Sequence, residues 1–146
     1  MNVYDKFLMQ FKHLHVNKKG AFVAPHKPVL LIAVMDYLAD NPDTNLIPPS
    51  ERLNELFLGN WHLSVPTNSP YKPALVTPFI HMAYEPFWHL KYKESFCIYE
   101  PITSLAKLRA NCFGATLDDE LFELLQDDNV RDSYRLHLLK QYKLVL

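Results

Sequence analysis

The chain has 146 residues and a formal net charge of −1, with 49% hydrophobic and 21% charged residues, as in an ordinary globular protein. This length predicts a single domain over residues 1–146. Two cysteines without CxxC spacing exclude a zinc-finger framework and a disulfide scaffold. No apolar run approaches the ~20 residues of a membrane span, and the start lacks a signal-peptide pattern, so we expect a cytoplasmic protein without membrane association.

The first half of the chain predicts three helices and a long loop. Residues 2–15 repeat apolar side chains at helical spacing and predict an amphipathic helix. A second helix is expected over residues 28–39, because proline is accommodated in the first helical turn, where its missing N–H has no partner. Ser50 is suited to cap a third helix. The proline-rich residues 62–76 then predict an ordered loop of the kind that often carries function.

The second half predicts a small sheet and more helices. The segments FWHLKY and SFCIY are rich in strand-forming residues and predict a β-hairpin near residues 87–99. Helices are expected over residues 101–112, after residue 118, and over residues 129–142. The expected fold class is therefore mostly α (α+β), a compact helical domain of about five to seven helices with one small hairpin.

Charge is distributed unevenly along the chain. No acidic residue lies between Asp5 and Asp36, or from residue 56 to residue 84, while both stretches contain lysines and histidines. Acidic residues concentrate instead in residues 118–128. Local positive potential is what attracts a polyanion, so the two acid-free stretches are consistent with a basic surface. Chance clustering on solvated faces is an alternative that charge alone leaves open.

The most unusual motif is Pro25-His26-Lys27-Pro28, at the start of the second predicted helix. Each proline restricts the backbone of the residue before it. Lys27 is expected just before the helix, where free backbone N–H groups favour an anion. The motif thus predicts a phosphate clamp, with a proline-started core helix carrying two solvated polar residues as the alternative.

The seven histidines raise the question of catalysis. His13 and His15 would lie about 200° apart on a helix and could not share a metal ion there. The chain contains no sequence motif of a known hydrolase or metal site, so we assign no catalytic residue, no metal ligand and no cofactor. We expect that the chain is not an enzyme by itself. The remaining alternative is an enzyme in which the fold joins His26, His81 or His89 to a carboxylate or a metal.

Three segments in order carry a resemblance to a known family: residues 20–38 (GAFVAPHKPVLLIAVMDYL), 77–90 (TPFIHMAYEPFWHL) and 117–142 (LDDELFELLQDDNVRDSYRLHLLKQY). They resemble the N-terminal region of bacterial HNH endonucleases of the modification-dependent restriction type. There, a Gly-x-x-x-x-Pro-His-Lys-Pro segment enters an aliphatic helix. A Tyr-Pro-Phe-x-x-Leu segment, a Phe-Trp-x-Leu strand and a helical pair ending in Leu-Leu-x-x-Tyr follow. This region is a sulfur-binding domain, which recognises duplex DNA whose backbone carries a phosphorothioate.

The resemblance implies a role for individual positions. Residues 25–27 would contact the modified phosphate and nearby base edges, and the segment from Thr77 would shape an apolar cup for the sulfur. Thr77 stands where the family has tyrosine, and His81 where it has a small residue. The expected DNA-binding set joins these positions to lysines of the acid-free stretches: Lys18, Lys19, Pro25, His26, Lys27, Lys72, Thr77, Pro78, Phe79 and His81.

The nuclease half of such proteins carries a His-Asn-His metal site, and nothing in residues 1–146 matches it. We therefore expect a DNA-recognition domain alone, either as a fragment or as a stand-alone reader. Its expected partners are double-stranded DNA, phosphorothioate-modified according to the resemblance, and a fused or separate HNH nuclease. The alternative is a protein-interaction or accessory module that docks through residues 62–76 and has no specificity for modified DNA.

Overall fold

The structure is a computed structural model that describes residues 1–145, so Leu146 of the predicted domain lies outside the described residues. The described part contains seven α-helices and two small antiparallel sheets, which confirms the predicted mostly α class. None of its helices combines the length and apolar character needed to cross a lipid bilayer. The elements are α1 (Val3–Lys12), β1 (Lys18–Lys19), β2 (Phe22–Val23), α2 (His26–Asp40), α3 (Glu51–Ser64), α4 (Val76–His81), a 3₁₀ turn (Met82–Tyr84), β3 (Trp88–Tyr92), α5 (Leu105–Asn111), β4 (Cys112–Leu117), α6 (Asp119–Leu124) and α7 (Asp128–Gln141).

Helix α2 forms the centre of the core. Its residues 27–35 are all buried, because the apolar run is hydrophobic on every side and must be covered on every side. Helices α3, α4 and α7 all pack against it. Each large aliphatic side chain buried in this way contributes about 1.5–3 kcal/mol.

The helix starts follow local sequence signals. The side chain of Ser50 accepts a hydrogen bond from the backbone N–H of Leu53 at 3.1 Å, so it caps α3 as predicted. Helix α2 begins at His26, two residues before the predicted start, and has no side-chain cap. Pro28 still lies in the first turn, where a backbone N–H has no intrahelical acceptor. His26 and Lys27 therefore lie within the helix itself.

The predicted strand near residue 88 is present as β3, but its predicted partner is wrong. β3 pairs with β4, in the register Trp88 with Leu117, and the SFCIY segment lies in turns and irregular structure. Ile47 bridges to Ala115 on the other side of β4, so this pairing buries β4 against the core. A second sheet, β1 with β2, occupies a segment predicted as a loop.

Candidate nucleic-acid interface

Lys27, the expected phosphate ligand, is buried and ion-paired. It lies in the first turn of α2 with 7% of its surface exposed, and its Nζ donates to Oε2 of Glu85 at 2.7 Å. Glu85 is itself only 3% exposed. Two opposite charges removed from water depend on each other for compensation. The positive charge of Lys27 is therefore balanced by Glu85, and a phosphate would have to compete with that carboxylate.

Glu85 also binds the segment that follows α1. The backbone N–H of His15 donates to Oε2 of Glu85 at 3.0 Å, and Nδ1 of His15 lies 3.1 Å from the same oxygen. The His15 side chain is largely exposed, whereas the Lys27 and Glu85 side chains are not. One carboxylate thus joins the chain after α1, the start of α2 and the chain after the 3₁₀ turn.

His26 is held by the loop between α3 and α4. Its Nε2 lies 2.8 Å from the backbone oxygen of Lys72. Because a carbonyl can only accept, Nε2 carries the proton, and Nδ1 of the neutral ring is an acceptor. The ring packs 4.8 Å from the Trp61 ring and 5.8 Å from the Tyr71 ring, centroid to centroid. Burial lowers the pKa of His26, and the hydrogen bond to Lys72 partly offsets that effect.

Exposed lysines flank His26 on the side of this loop. Nζ of Lys19 lies 5.2 Å from the centroid of the Tyr71 ring, which itself contacts His26. Lys18 and Lys19 form the exposed strand β1, and Lys72 is exposed beside Tyr71. The β1–β2 hairpin and the α3–α4 loop therefore meet at the start of α2, and both bring cations there.

On its other side, Lys27 is flanked by Tyr84 and His81. Tyr84 is 74% exposed, and its ring centroid lies 6.0 Å from Nζ of Lys27 and 5.9 Å from the His81 ring. His81 is exposed at the end of α4. We call the whole set the α2-start surface, and its members are His15, Lys18, Lys19, His26, Tyr71, Lys72, His81 and Tyr84.

The α2-start surface carries uncompensated positive charge. Within residues 1–145, no ion pair joins Lys18, Lys19, Lys72 or His81 to an acidic side chain. The carboxylate that contacts the surface, Glu85, lies beneath it and is paired with Lys27. Positive potential is consequently left on the solvent side.

The structure places the predicted apolar cup differently. Phe79 is completely buried, packs edge-on against Trp88 with ring centroids 5.2 Å apart, and accepts a hydrogen bond from Trp88 Nε1 at its carbonyl. Pro25 and Pro78 are also buried. Thr77 is exposed and lines a cleft of about 550 Å³ between the α3–α4 loop and residues 102–105. The aromatic side chain beside Lys27 is that of Tyr84 instead.

Sequence reasoning missed several members of the α2-start surface. It did not select His15, Tyr71, Tyr84 or the buried Glu85. A signal was present for two of them, because Tyr71 precedes Lys72 in the proline-rich loop and Tyr84 ends the second acid-free stretch. Nothing local pointed to Glu85, whose contact with Lys27 spans 58 positions of the chain.

The histidines considered for catalysis have separate surroundings. Nε2 of His89 lies 2.6 Å from Oδ1 of Asp118, in a shallow polar cleft of about 510 Å³. His26 instead contacts Lys72 and aromatic rings, and His81 contacts Tyr84. Among the described residues, no group of three or more histidine, cysteine or acidic side chains is placed to hold a metal ion.

Comparison with known proteins adds no family to this geometry. No protein-family model matches the chain, and no curated protein is significantly similar to it in sequence. The functional argument therefore depends on the α2-start surface itself.

Proposed function

We propose that the protein binds double-stranded DNA through the α2-start surface. The observation that carries this proposal is the meeting of exposed cationic residues from separate chain segments, next to a carboxylate that is buried and neutralised. Lysines unpaired by acids attract the phosphate backbone over a long range and release counterions when they bind it. A surface of this kind supplies affinity and register on the duplex.

Individual residues take different roles in the proposal. Lys18, Lys19 and Lys72 contact phosphates, because they are exposed and have no acidic partner within residues 1–145. Tyr84 and His81 contact sugars or base edges beside them, since both side chains are exposed. Lys27 is a positioning residue, which holds Glu85 and thereby the arrangement of three chain segments.

We extend the proposal to DNA that carries a phosphorothioate, on the basis of the sequence resemblance. Sulfur is larger, more polarizable and more weakly hydrated than the oxygen it replaces, so apolar surface near a cation favours it. The exposed ring of Tyr84 beside Lys27 offers such surface. In this proposal the chain reads the modified backbone, and a fused or separate HNH nuclease performs the cleavage.

Salt-dependent titration of a fluorescent duplex tests the proposal of DNA binding. The variant Lys18→Ala/Lys19→Ala/Lys72→Ala is expected to weaken binding and to lower the slope of log K against log salt by about three, one for each phosphate contact. A matched control replaces Lys91, Lys107 and Lys140, which are exposed lysines outside the α2-start surface. Equal losses in the two variants, or an affinity that salt does not change, would refute DNA binding through this surface.

A second titration tests the sulfur proposal separately. The same duplex is compared with and without a phosphorothioate, and tighter binding to the modified duplex is expected. Tyr84→Ala is expected to reduce this preference, because it removes the apolar ring, while the salt slope stays unchanged. Equal affinities for the two duplexes would remove the sulfur proposal and leave the proposal of DNA binding intact.

The alternative, a protein-interaction module docking through residues 62–76, requires the lysines to be scattered over different faces. The contact of Lys19 with Tyr71, beside Lys72, supports DNA binding over this alternative. The exposed Leu63, at the end of α3, is the feature that favours a protein partner. Leu63→Ser leaves DNA affinity unchanged in our proposal.

A further inference from the structure

Tyr71 holds a polar group without a protein partner inside the proposed interface. Its hydroxyl oxygen is buried and has no hydrogen-bond partner among the described residues. Its ring nevertheless makes defined contacts, with Nζ of Lys19 on one side and with the His26 ring on the other. The unpaired group thus lies where the hairpin, the α3–α4 loop and the start of α2 meet.

An unpaired buried hydroxyl is energetically unfavourable, and in a native protein it calls for a reason. A phenolic O–H is a good donor, and phosphate oxygens accept strong, charge-assisted hydrogen bonds. Lys19 and Lys72, on either side of Tyr71, are the cations that would draw a phosphate to this position. The missing acceptor and the expected ligand therefore have matching chemistry.

The loop that carries Tyr71 is held by a small number of polar contacts. Within it, Ser69 N–H donates to the Pro66 carbonyl at 3.0 Å, and Tyr71 N–H donates to the Ser69 hydroxyl at 3.3 Å. The link to α2 is the bond from His26 Nε2 to the Lys72 carbonyl. A small shift of residues 66–72 is thus enough to bring the hydroxyl to the surface.

We propose that Tyr71 is a phosphate-binding residue of the α2-start surface, whose hydroxyl donates to a DNA backbone oxygen once residues 66–72 shift. This inference rests on the proposed function and deepens it, since it adds a directional hydrogen bond to contacts that are otherwise electrostatic. It also predicts that binding and folding respond differently to the same hydroxyl.

The variant Tyr71→Phe tests the inference, because it keeps the ring and removes only the hydroxyl. Its urea midpoint is expected to equal or exceed that of the wild type, since an unpaired donor is removed. Its affinity for unmodified duplex is expected to fall about tenfold, as for the loss of a hydrogen bond to a charged group, with an unchanged salt slope. Tyr99→Phe is the matched control, on a tyrosine that is 91% exposed outside the α2-start surface, and should change neither quantity.

Each other outcome has a defined meaning. A wild-type protein that binds duplex equally to Tyr71→Phe overturns the inference and leaves the proposed function standing. A lowered urea midpoint of Tyr71→Phe also overturns it, because the hydroxyl would then be bonded in the free protein. A wild-type protein without affinity for the duplex overturns the proposed function, and the inference with it.

Discussion

The buried pair of Lys27 and Glu85 gives the sharpest prediction for stability. Lys27→Met keeps an unbranched side chain of similar length and removes the ammonium group, leaving the Glu85 carboxylate, 3% exposed, without the donor now 2.7 Å away. Breaking a buried pair from one side typically destabilises a protein by about 3–5 kcal/mol. Glu85 retains the N–H of His15 at 3.0 Å, so we expect a loss near the lower end, about 3 kcal/mol.

The double variant Lys27→Met/Glu85→Met separates the charge effect from packing. It removes both charges, so no unpaired ion is left buried, although the N–H of His15 loses its acceptor. We therefore expect the double variant to lose less stability than the sum of the two single variants, with a coupling of about 1–3 kcal/mol.

Urea unfolding at neutral pH measures all three variants, and the slope of the transition is compared to exclude changes in the unfolded state. The control is Arg52→Met, which removes an exposed pair with Glu55 at 3.3 Å and should change stability by no more than about 0.5 kcal/mol. The reasoning is refuted if Lys27→Met behaves like Arg52→Met, or if the losses of the single variants simply add.

Two further predictions concern pH and backbone strain. Burial lowers the folded-state pKa of His26, so the folded protein binds fewer protons than the unfolded chain, and stability should decrease as the pH falls below about 6.5. His26→Gln should flatten this dependence when urea midpoints are compared between about pH 5 and pH 8, and a dependence identical to that of the wild type would contradict the assignment. Gly114 has φ +147°, and a Cβ there would lie 2.4 Å from the Ile47 carbonyl oxygen, so Gly114→Ala should destabilise by about 2–4 kcal/mol. Gly59→Ala, on an open helical face, should instead stabilise by about 0.5–1 kcal/mol, and similar thermal shifts of the two variants would refute the steric argument.

Local patterns predicted the helical framework because their causes lie within a few residues of each other. The continuous apolar run of α2 requires burial on all sides, and it is buried. Ser50 caps α3 through a donor only three residues away. The motif before Pro28 correctly marked a helix start, although the helix begins earlier, since nothing in its first turn requires the N–H that proline lacks.

Tertiary packing decided which residues meet at the candidate site. Glu85 lies 58 positions from Lys27, and no local periodicity indicates that its carboxylate neutralises the lysine expected to face DNA. The partner of β3 likewise comes from β4, because that pairing buries Ala115 and Leu117, whereas the adjacent SFCIY segment remains in turns and irregular structure. The sequence alone determined the helices and the excess of cations near α2. Only the folded chain decided which of those cations are buried in pairs and which remain free at the surface, because charge compensation depends on contacts between distant segments.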